Sequence, residues 1–511
     1  MELIFEHWFN YSKIFDNTTT VGVLIVIAVV TVLYYVFRTR GLPPGPIGLP
    51  FLGYSPFLKP QTCHLVLEDL QKKYGDLFCF RFAGMLYINM GSLKAIREIH
   101  ISRAECFERI SDFSLLSYLF GDGVGFINGE PWKMLRKFCL QQFRESGMTT
   151  IKDNMTGPLY DSIKETVDYL REKKGEPVEI LQLLTDKCTS ITRLTLFGGS
   201  RVTDRQIREM NESYGHTMTF LTVPNMLYTG KTARYLFFPL KSGYRDAVKH
   251  HKMMEKLLME VVNDHKEKFR DGDHHHRNFV DAFLNERNVR YSKGDPTAEF
   301  FTDKALISTL VQFVGDGVLS VAAFATLFLK AVVDHPECQE KIYQEIVEVV
   351  GQSRAPSIED KSRMTYTNAF IMEIIRTSEF GTAFPSQQCI KETTVRGYKI
   401  PKGAMTLMNV WSCHHDPNIY ENPEKFDPTR FIPENGKQRP ELPNIFGVGK
   451  RACIGEGFAM AQVFLFLATI IQNFQLSNPK QHEKVPLFEL IMSGKVEICA
   501  TPRNEAEIHE K

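Results

Sequence analysis

The sequence predicts a mainly α-helical fold with a minor β-sheet region, as one large domain behind an N-terminal transmembrane helix. Three observations lead there. Apolar residues recur at helical spacing through most of the chain, while strand-like stretches are few and short. A single uncharged run of 17 residues, Val21 to Phe37, lies near the start, and no second linker or internal repeat follows it. The composition is that of a balanced globular chain, 43% hydrophobic and 24% charged with a formal net charge of +1, which excludes both disorder and a basic nucleic-acid binder.

Taken in order, residues 1–20 are expected on the lumenal side of a membrane, with glycosylation sequons at Asn10 and Asn17. Residues 21–37 are the anchor: at about 1.5 Å per residue the run crosses roughly 25 Å, a length suited to the thin endoplasmic reticulum bilayer. Only Lys13 is basic before it, whereas Arg38 and Arg40 follow directly, so the positive-inside rule leaves the body in the cytosol. A basic start and a small-residue cleavage site are both missing, which argues against a cleaved signal peptide. Residues 38–50 are a basic, proline-rich linker in which Pro43, Pro44 and Pro46 forbid helix continuation and stiffen the chain. Residues 51–511 form the domain itself.

Within the domain, helices are expected around 63–74, 132–145, 155–173, 245–270, 302–334, 336–351, 366–378 and 455–473. Strands are expected in "LFCFRFAGMLYINM" and "TTVRGYKIPKGAMTLMNV". The polar "DGDHHHRN" reads as a solvated loop. "TGKT" at 229–232 fails as a phosphate loop because Asn225 stands where its first glycine belongs, and "GDGVG" at 121–125 lacks a dinucleotide-binding context, so both read as turns. The ten cysteines include no C-x-x-C pair, and in a cytosolic body they are expected as free, mostly buried thiols.

One cysteine stands apart. Cys453 lies in "FGVGKRACIGEG", just ahead of an apolar helix. A buried cysteine in a glycine turn is one reading. The other is a metal ligand: N–H groups at a helix start stabilise a thiolate, Gly449 and Gly455 allow close backbone approach to a flat group, and Arg451 offers a forked cation for a carboxylate.

F-x-x-G-x-R-x-C-x-G, filled by Phe446, Gly449, Arg451, Cys453 and Gly455, resembles the haem-thiolate signature of the cytochrome P450 family. Further segments resemble the family in the right order along nearly the whole chain. Glu373 and Arg376 match E-x-x-R, Arg430 lies in a matching "NPEKFDPTRF", "NVWSCHHDP" begins at Asn409, and Trp132 and Arg136 match W-x-x-x-R. The resemblance implies the cytochrome P450 fold, haem b with Cys453 as its axial thiolate, a buried triad of Glu373, Arg376 and Arg430, and haem propionates held by Trp132, Arg136, Arg451 and Arg109. It also implies NADPH–cytochrome P450 reductase docking on the stripe of Lys133, Lys137 and Arg144, with cytochrome b5 as an optional second donor. By the same resemblance the chain is similar to the microsomal group that includes animal drug- and steroid-metabolising members. The aromatic stretch "FLTVPNMLYTGKTARYLFFPL" would lie at the substrate entrance, either packed in the core or dipping into the membrane.

Two places depart from the family pattern. The family's distal helix carries (A/G)-G-x-(D/E)-T-(T/S), whose acid and alcohol serve proton delivery. Aligned on Gly315, this chain has Asp316 at the variable position, Gly317 for the acid and Val318 for the alcohol. Sliding Asp316 onto the acid position leaves Gly317 for the alcohol, and Ser320 lies about 200° around an α-helix from Val318. The second departure is Gln387, which replaces a histidine that touches a propionate.

The expected function is a membrane-bound monooxygenase inserting one oxygen atom into a lipophilic steroid, fatty acid or xenobiotic. Phe313, Val318 and Phe384 are its candidate pocket residues. The valine at the alcohol position keeps two alternatives open: an isomerase or dehydratase acting on an oxygenated lipid, and a silent haem protein that binds a ligand.

Overall fold

The computed structural model describes residues 21–23, 25–26, 29, 40–110, 113–145, 157–198, 202–270, 278–379, 382–433, 439–479 and 495–503. Both sequons, most of the expected anchor and the histidines of the 271–278 loop lie outside these residues.

The first helix after the linker is α1 (Cys63–Tyr74), which buries Cys63, Leu67 and Leu70 on one stripe. It leads into the hairpin of β1 (Leu77–Phe82) and β2 (Met85–Met90), turned by Ala83 and Gly84, both at positive φ. Almost every residue of these strands is buried, so their apolar runs are continuous and do not alternate. Next come α2 (Leu93–His100), capped by the Ser92 hydroxyl, β3 (Phe107–Glu108), α3 (Leu115–Phe120) and α4 (Gly129–Glu145). Then α5 (Pro158–Glu172), β4 (Val178–Glu179), α6 (Ile180–Phe197), α7 (Asp204–Phe220), α8 (Tyr244–Arg270) and α9 (Phe279–Ser292) follow.

The expected 302–334 helix is divided. α10 (Asp303–Gly315) and α11 (Val321–Asp334) are joined by a π turn over Asp316–Ser320. Among the described residues this is the one helix long and apolar enough to cross a membrane, yet 72% of its most apolar window is buried inside the domain. It is followed by α12 (Pro336–Val349), α13 (Thr365–Thr377), β5 (Phe384–Cys389), β6 (Thr393–Val395), β7 (Tyr398–Ile400), β8 (Met405–Met408), α14 (Glu456–Asn473), β9 (Phe474–Ser477) and β10 (Glu497–Pro502). The main sheet has the order β1-β2-β8-β5-β3, with only the β2–β8 pair parallel, and smaller sheets form from β4-β10-β9 and β6-β7.

Two apolar clusters flank the divided helix. One gathers α5, α6, α11, α12, α13 and α14; the other gathers α4, α7, α8, α9 and α10. The helix therefore runs from one core to the other, and the cavity lies along it. The "GDGVG" loop is clasped to α10: the Gln312 side chain accepts from Gly125 N–H (3.0 Å) and donates to the Phe120 carbonyl (3.1 Å). A Cβ on Gly123 would come 2.7 Å from the Ser308 carbonyl, so the loop needs glycine to lie this close. The "TGKT" stretch, expected as a turn, instead opens a short helix: Thr229 bridges Ser114 and Gly230–Thr232 are helical, Gly230 sitting at φ +82° with its N–H on the Phe113 carbonyl.

Candidate active site

The loop before α14 faces the π turn across a cavity of about 570 Å³, and Cys453 lines it together with Phe446, Arg451, Trp132, Arg136 and Arg109. Of the free cysteines it is the one classed as exposed, and that surface turns to the cavity. The loop is shaped by its backbone. Cys453 N–H donates to the Phe446 carbonyl at 2.8 Å, while Gly447 and Gly449 take φ of +78° and +70°. A Cβ on Gly449 would meet the His100 carbonyl at 2.9 Å, so this glycine serves packing against α2. Helix α14 begins at Glu456 behind a Gly455 cap, which puts Cys453 just ahead of the cap and not inside the first turn. Burial pushes its thiol pKa up, against a downward pull from the Gly455 N–H. A bound metal would displace that proton.

Above the loop, three arginines crowd one rim without a carboxylate partner within ion-pair distance among the described residues. Arg451 donates to the Ile127 carbonyl (2.9 Å) and Asn128 Oδ1 (2.8 Å) and stacks on Trp132, 3.8 Å from the ring centre. Arg136 donates to the Ala452 carbonyl (2.8 Å), and Arg109 to the carbonyls of Gly125 (3.1 Å) and Ser386 (2.8 Å). Burial, and then repulsion from Arg136, lowers the Arg109 pKa to about 10; burial, and then Arg109, lowers that of Arg451 to about 9. Trp132 Nε1 is buried with no hydrogen-bond partner. An orphaned N–H beside uncompensated guanidinium groups is a cradle for an anion, and a mostly apolar cavity that also presents a thiol fits a porphyrin with two carboxylates. The residues fit haem b.

Behind the loop, Glu373 and Arg376 are fully buried and joined by two hydrogen bonds of 2.8 Å, and Arg430 Nε reaches the same carboxylate at 3.2 Å. Arg376 also donates to the His414 carbonyl at 3.1 Å. The His414 ring accepts the Asn444 N–H at 3.0 Å, and Asn444 Oδ1 accepts the Phe446 N–H at 2.9 Å. A continuous chain of bonds thus runs from the triad to the loop that presents Cys453. Burial keeps His414 neutral, its pKa pushed down to about 3, so Nε2 remains an acceptor.

The distal wall presents other residues to the cavity than the expected pair. Val318 is fully buried in the core cluster beside α6 and does not line the cavity, and Gly315 packs under the Tyr214 ring. Asp316, Gly317, Ser320 and Val321 line it instead. Val318 and Ser320 do lie on opposite faces, but Ser320 has the cavity. Shifting the family pattern by two residues, onto Gly317, puts Leu319 at the acid position and Ser320 at the alcohol position. The π turn, an extra-wide turn of the kind found at functional sites, spans this stretch.

Phe313 and Phe384 line the cavity as expected pocket residues, and so does Gln387. His100 is a lining residue that the sequence does not mark; it is buried between Ser386 (3.2 Å) and Thr406 (3.3 Å). Tyr214 and Asn128 also escape notice, because each comes from a segment without a motif. Lys133, Lys137 and Arg144 are exposed on α4.

Fold and site together define a mainly helical protein whose cavity fits a haem held by a cysteine thiolate. A family model described as Cytochrome P450 matches residues 43–499, and the chain belongs to the cytochrome P450 family. It is 31% identical to Cytochrome P450 2S1 of Mus musculus over 454 residues, 87% of this chain and 88% of that protein. It is 30% identical to Cytochrome P450 18a1 of Drosophila melanogaster over 500 residues, 94% of this chain and 89% of that protein. Cytochrome P450 2J1 of Oryctolagus cuniculus is 28% identical over 473 residues, 91% and 92% of the two chains. The chain is an oxidoreductase of the monooxygenase class to which the family's members generally belong.

Proposed function

We propose that this protein is a membrane-bound monooxygenase of the endoplasmic reticulum that inserts one oxygen atom from dioxygen into a lipophilic steroid, fatty acid or xenobiotic. Electrons come from NADPH through NADPH–cytochrome P450 reductase, with cytochrome b5 as a second donor. The observation that carries this reading is the pairing of Cys453 on the floor of an apolar cavity with a hydroxyl, Ser320, on its opposite wall.

Haem b would supply dioxygen activation when bound. The chain's own groups do the rest. Cys453 Sγ would be the metal ligand, and Trp132 Nε1, Arg451, Arg136 and Arg109 would hold the propionates. Phe446 and Gly449 shape the ligand loop, and the triad of Glu373, Arg376 and Arg430 fixes it from behind. Ser320 Oγ, with no protein partner among the described residues, holds a proton facing the cavity, and the apolar lining excludes water. The rearranging alternative draws on a valine at the alcohol position, and the hydroxyl of Ser320 on the cavity wall weighs in favour of the monooxygenase reading.

Lys133, Lys137 and Arg144 support an acidic reductase docking there, since their helix also carries Trp132 and Arg136. Exposed apolar side chains support a membrane-facing surface. Phe51 is 93% and Leu240 80% exposed, and their segments meet beneath the surface, where Gly53 bridges Phe82, Phe82 packs on Tyr228 and Tyr228 on Phe237. The test is NADPH-driven oxygen uptake by the purified protein with a microsomal reductase, counting product and peroxide over steroids, fatty acids and lipid peroxides. Coupled, substrate-dependent NADPH use is expected. Turnover of peroxides without NADPH would overturn it.

A further inference from the structure

The distal wall carries an acid that the fold itself does not use. Asp316 opens the π turn, and its backbone N–H is already bonded to the carbonyls of Gln312 and Phe313. Among the described residues no cation pairs with its carboxyl, whose one protein partner is the Tyr214 phenol, donating to Oδ1 at 2.6 Å. Tyr214 reaches it only because residue 315 is glycine: a Cβ there would overlap the ring. The rest of the carboxyl faces the cavity, where it is the only acid among the lining residues. The cavity lining is mostly apolar, with Leu116, Phe120, Leu196, Phe313 and Val321, and Thr192, Gln312 and Ser320 are uncharged polar members of it. The three arginines of the same cavity belong to the cradle at its other rim, each already on backbone carbonyls.

An acid in a largely apolar cavity with only one of its roughly four acceptor sites filled is a cost that a ligand donor would offset. Gly317 beside it has no side chain, and a Cβ there would touch nothing closer than Thr192 Oγ1 at 3.5 Å, so there is room for a small polar head. We propose that Asp316, oriented by Tyr214, is a polar anchor that selects lipophilic substrates carrying one hydrogen-bond-donating head, a hydroxyl or a protonated amine. This rests on the monooxygenase reading only in taking the cavity as the substrate site.

The experiment uses the haem-loaded protein and three probes with one apolar body: phenylbutanol, its methyl ether and the matching dimethylammonium compound. Binding is measured by equilibrium dialysis, and haem content and the reduced carbon monoxide spectrum are recorded on the same samples. The wild type is expected to bind at least one donor probe about tenfold or more tighter than the ether. Asp316→Leu removes that preference without weakening the ether. Asp316→Asn keeps the alcohol preference and loses any preference for the cation, which tells a charged head from a neutral one. Tyr214→Phe, which keeps the ring over Gly315, lowers the donor-to-ether ratio and leaves ether affinity unchanged, where a merely structural loss would weaken all three probes. Equal binding of alcohol, cation and ether by the wild type, or a preference that survives Asp316→Leu, overturns the anchor. Loss of haem or of the thiolate-type spectrum in the wild type counts against the monooxygenase reading instead, and the dialysis ratios still judge the anchor.

Discussion

The two walls of the cavity are built under different rules. On the proximal side each residue that matters is held by a specific bond: Glu373 to Arg376, Arg376 to the His414 carbonyl, the His414 ring to Asn444, Asn444 to Phe446, and Phe446 to Cys453. On the distal side the residues that matter sit along the divided apolar helix, where apart from the bonds of Gln312 and Asp316 it is mostly packing that decides which of them face the cavity. A bonded wall tolerates few changes, because each link leaves a buried polar group behind when cut. A packed wall can exchange side chains and keep its fold, so it is where a family member acquires its own chemistry.

The largest expected effect is on the proximal wall. Cys453→His abolishes the thiolate-type reduced carbon monoxide spectrum altogether, because imidazole cannot supply the sulfur charge. An unchanged spectrum would remove Cys453 as the ligand.

Next comes the bond chain behind it. Glu373→Gln leaves the buried Arg376 and the partly buried Arg430 facing a neutral amide, and breaking a buried pair such as Glu373–Arg376 costs about 3–5 kcal/mol. Thermal unfolding and haem retention should both fall, whereas a wild-type melting temperature would mean the triad is not a structural link. His414 gives the same wall a pH limit. Its pKa falls from 6.5 to about 3 on folding, burial being the main cause. Below the higher value the unfolded chain takes up a proton that the folded chain refuses. The stability from a neutral His414 is therefore fully present above about pH 6.5 and drains as pH falls towards 3. His414→Gln, which still offers an acceptor to Asn444, should flatten the dependence of unfolding free energy on pH in that window. An unaltered slope would show that other groups control acid sensitivity.

The same contrast explains what the sequence reveals. Helix α1 stands on the expected 63–74, and α5, α12, α13 and α14 lie within a few residues of expectation, because each has a clear apolar stripe or a fixed start such as Pro158 or Pro336. Helix α9 was invisible because its apolar residues follow no stripe, and α6 because much of its circumference is buried. Helix α7 did carry a readable start, the capping box of Thr203 and Gln206, within an otherwise polar and ambiguous run. In the site, the Cys453 loop was legible since its chemistry sits within ten consecutive residues. His100 and Tyr214 were not, since each reaches the cavity from a distant segment and nothing local distinguishes it. Ser320 lay between these cases. The sequence Gly315-Asp316-Gly317 offers two glycines for one pattern position, and only the direction in which the helix faces chooses between them.

That choice sets the smallest and most discriminating test. If Ser320 is the cavity hydroxyl, Ser320→Ala removes a proton-holding group from the wall without disturbing the core, since the side chain is neither fully buried nor bonded to protein. Coupling should drop several-fold, read as more NADPH lost to peroxide per product, on the scale of a single general acid–base contact or less. Val318→Thr should do the reverse. Its new hydroxyl would be buried in an apolar cluster with Leu184, Cys188 and Val321 as fellow members, costing about 1–3 kcal/mol of stability while coupling stays as in the wild type. If Val318→Thr changes coupling and Ser320→Ala does not, the wall faces the other way and the two-residue shift of register is wrong. If both leave coupling unchanged, proton delivery on this wall does not run through a side-chain hydroxyl, and ordered water along Gly317 becomes the route to examine.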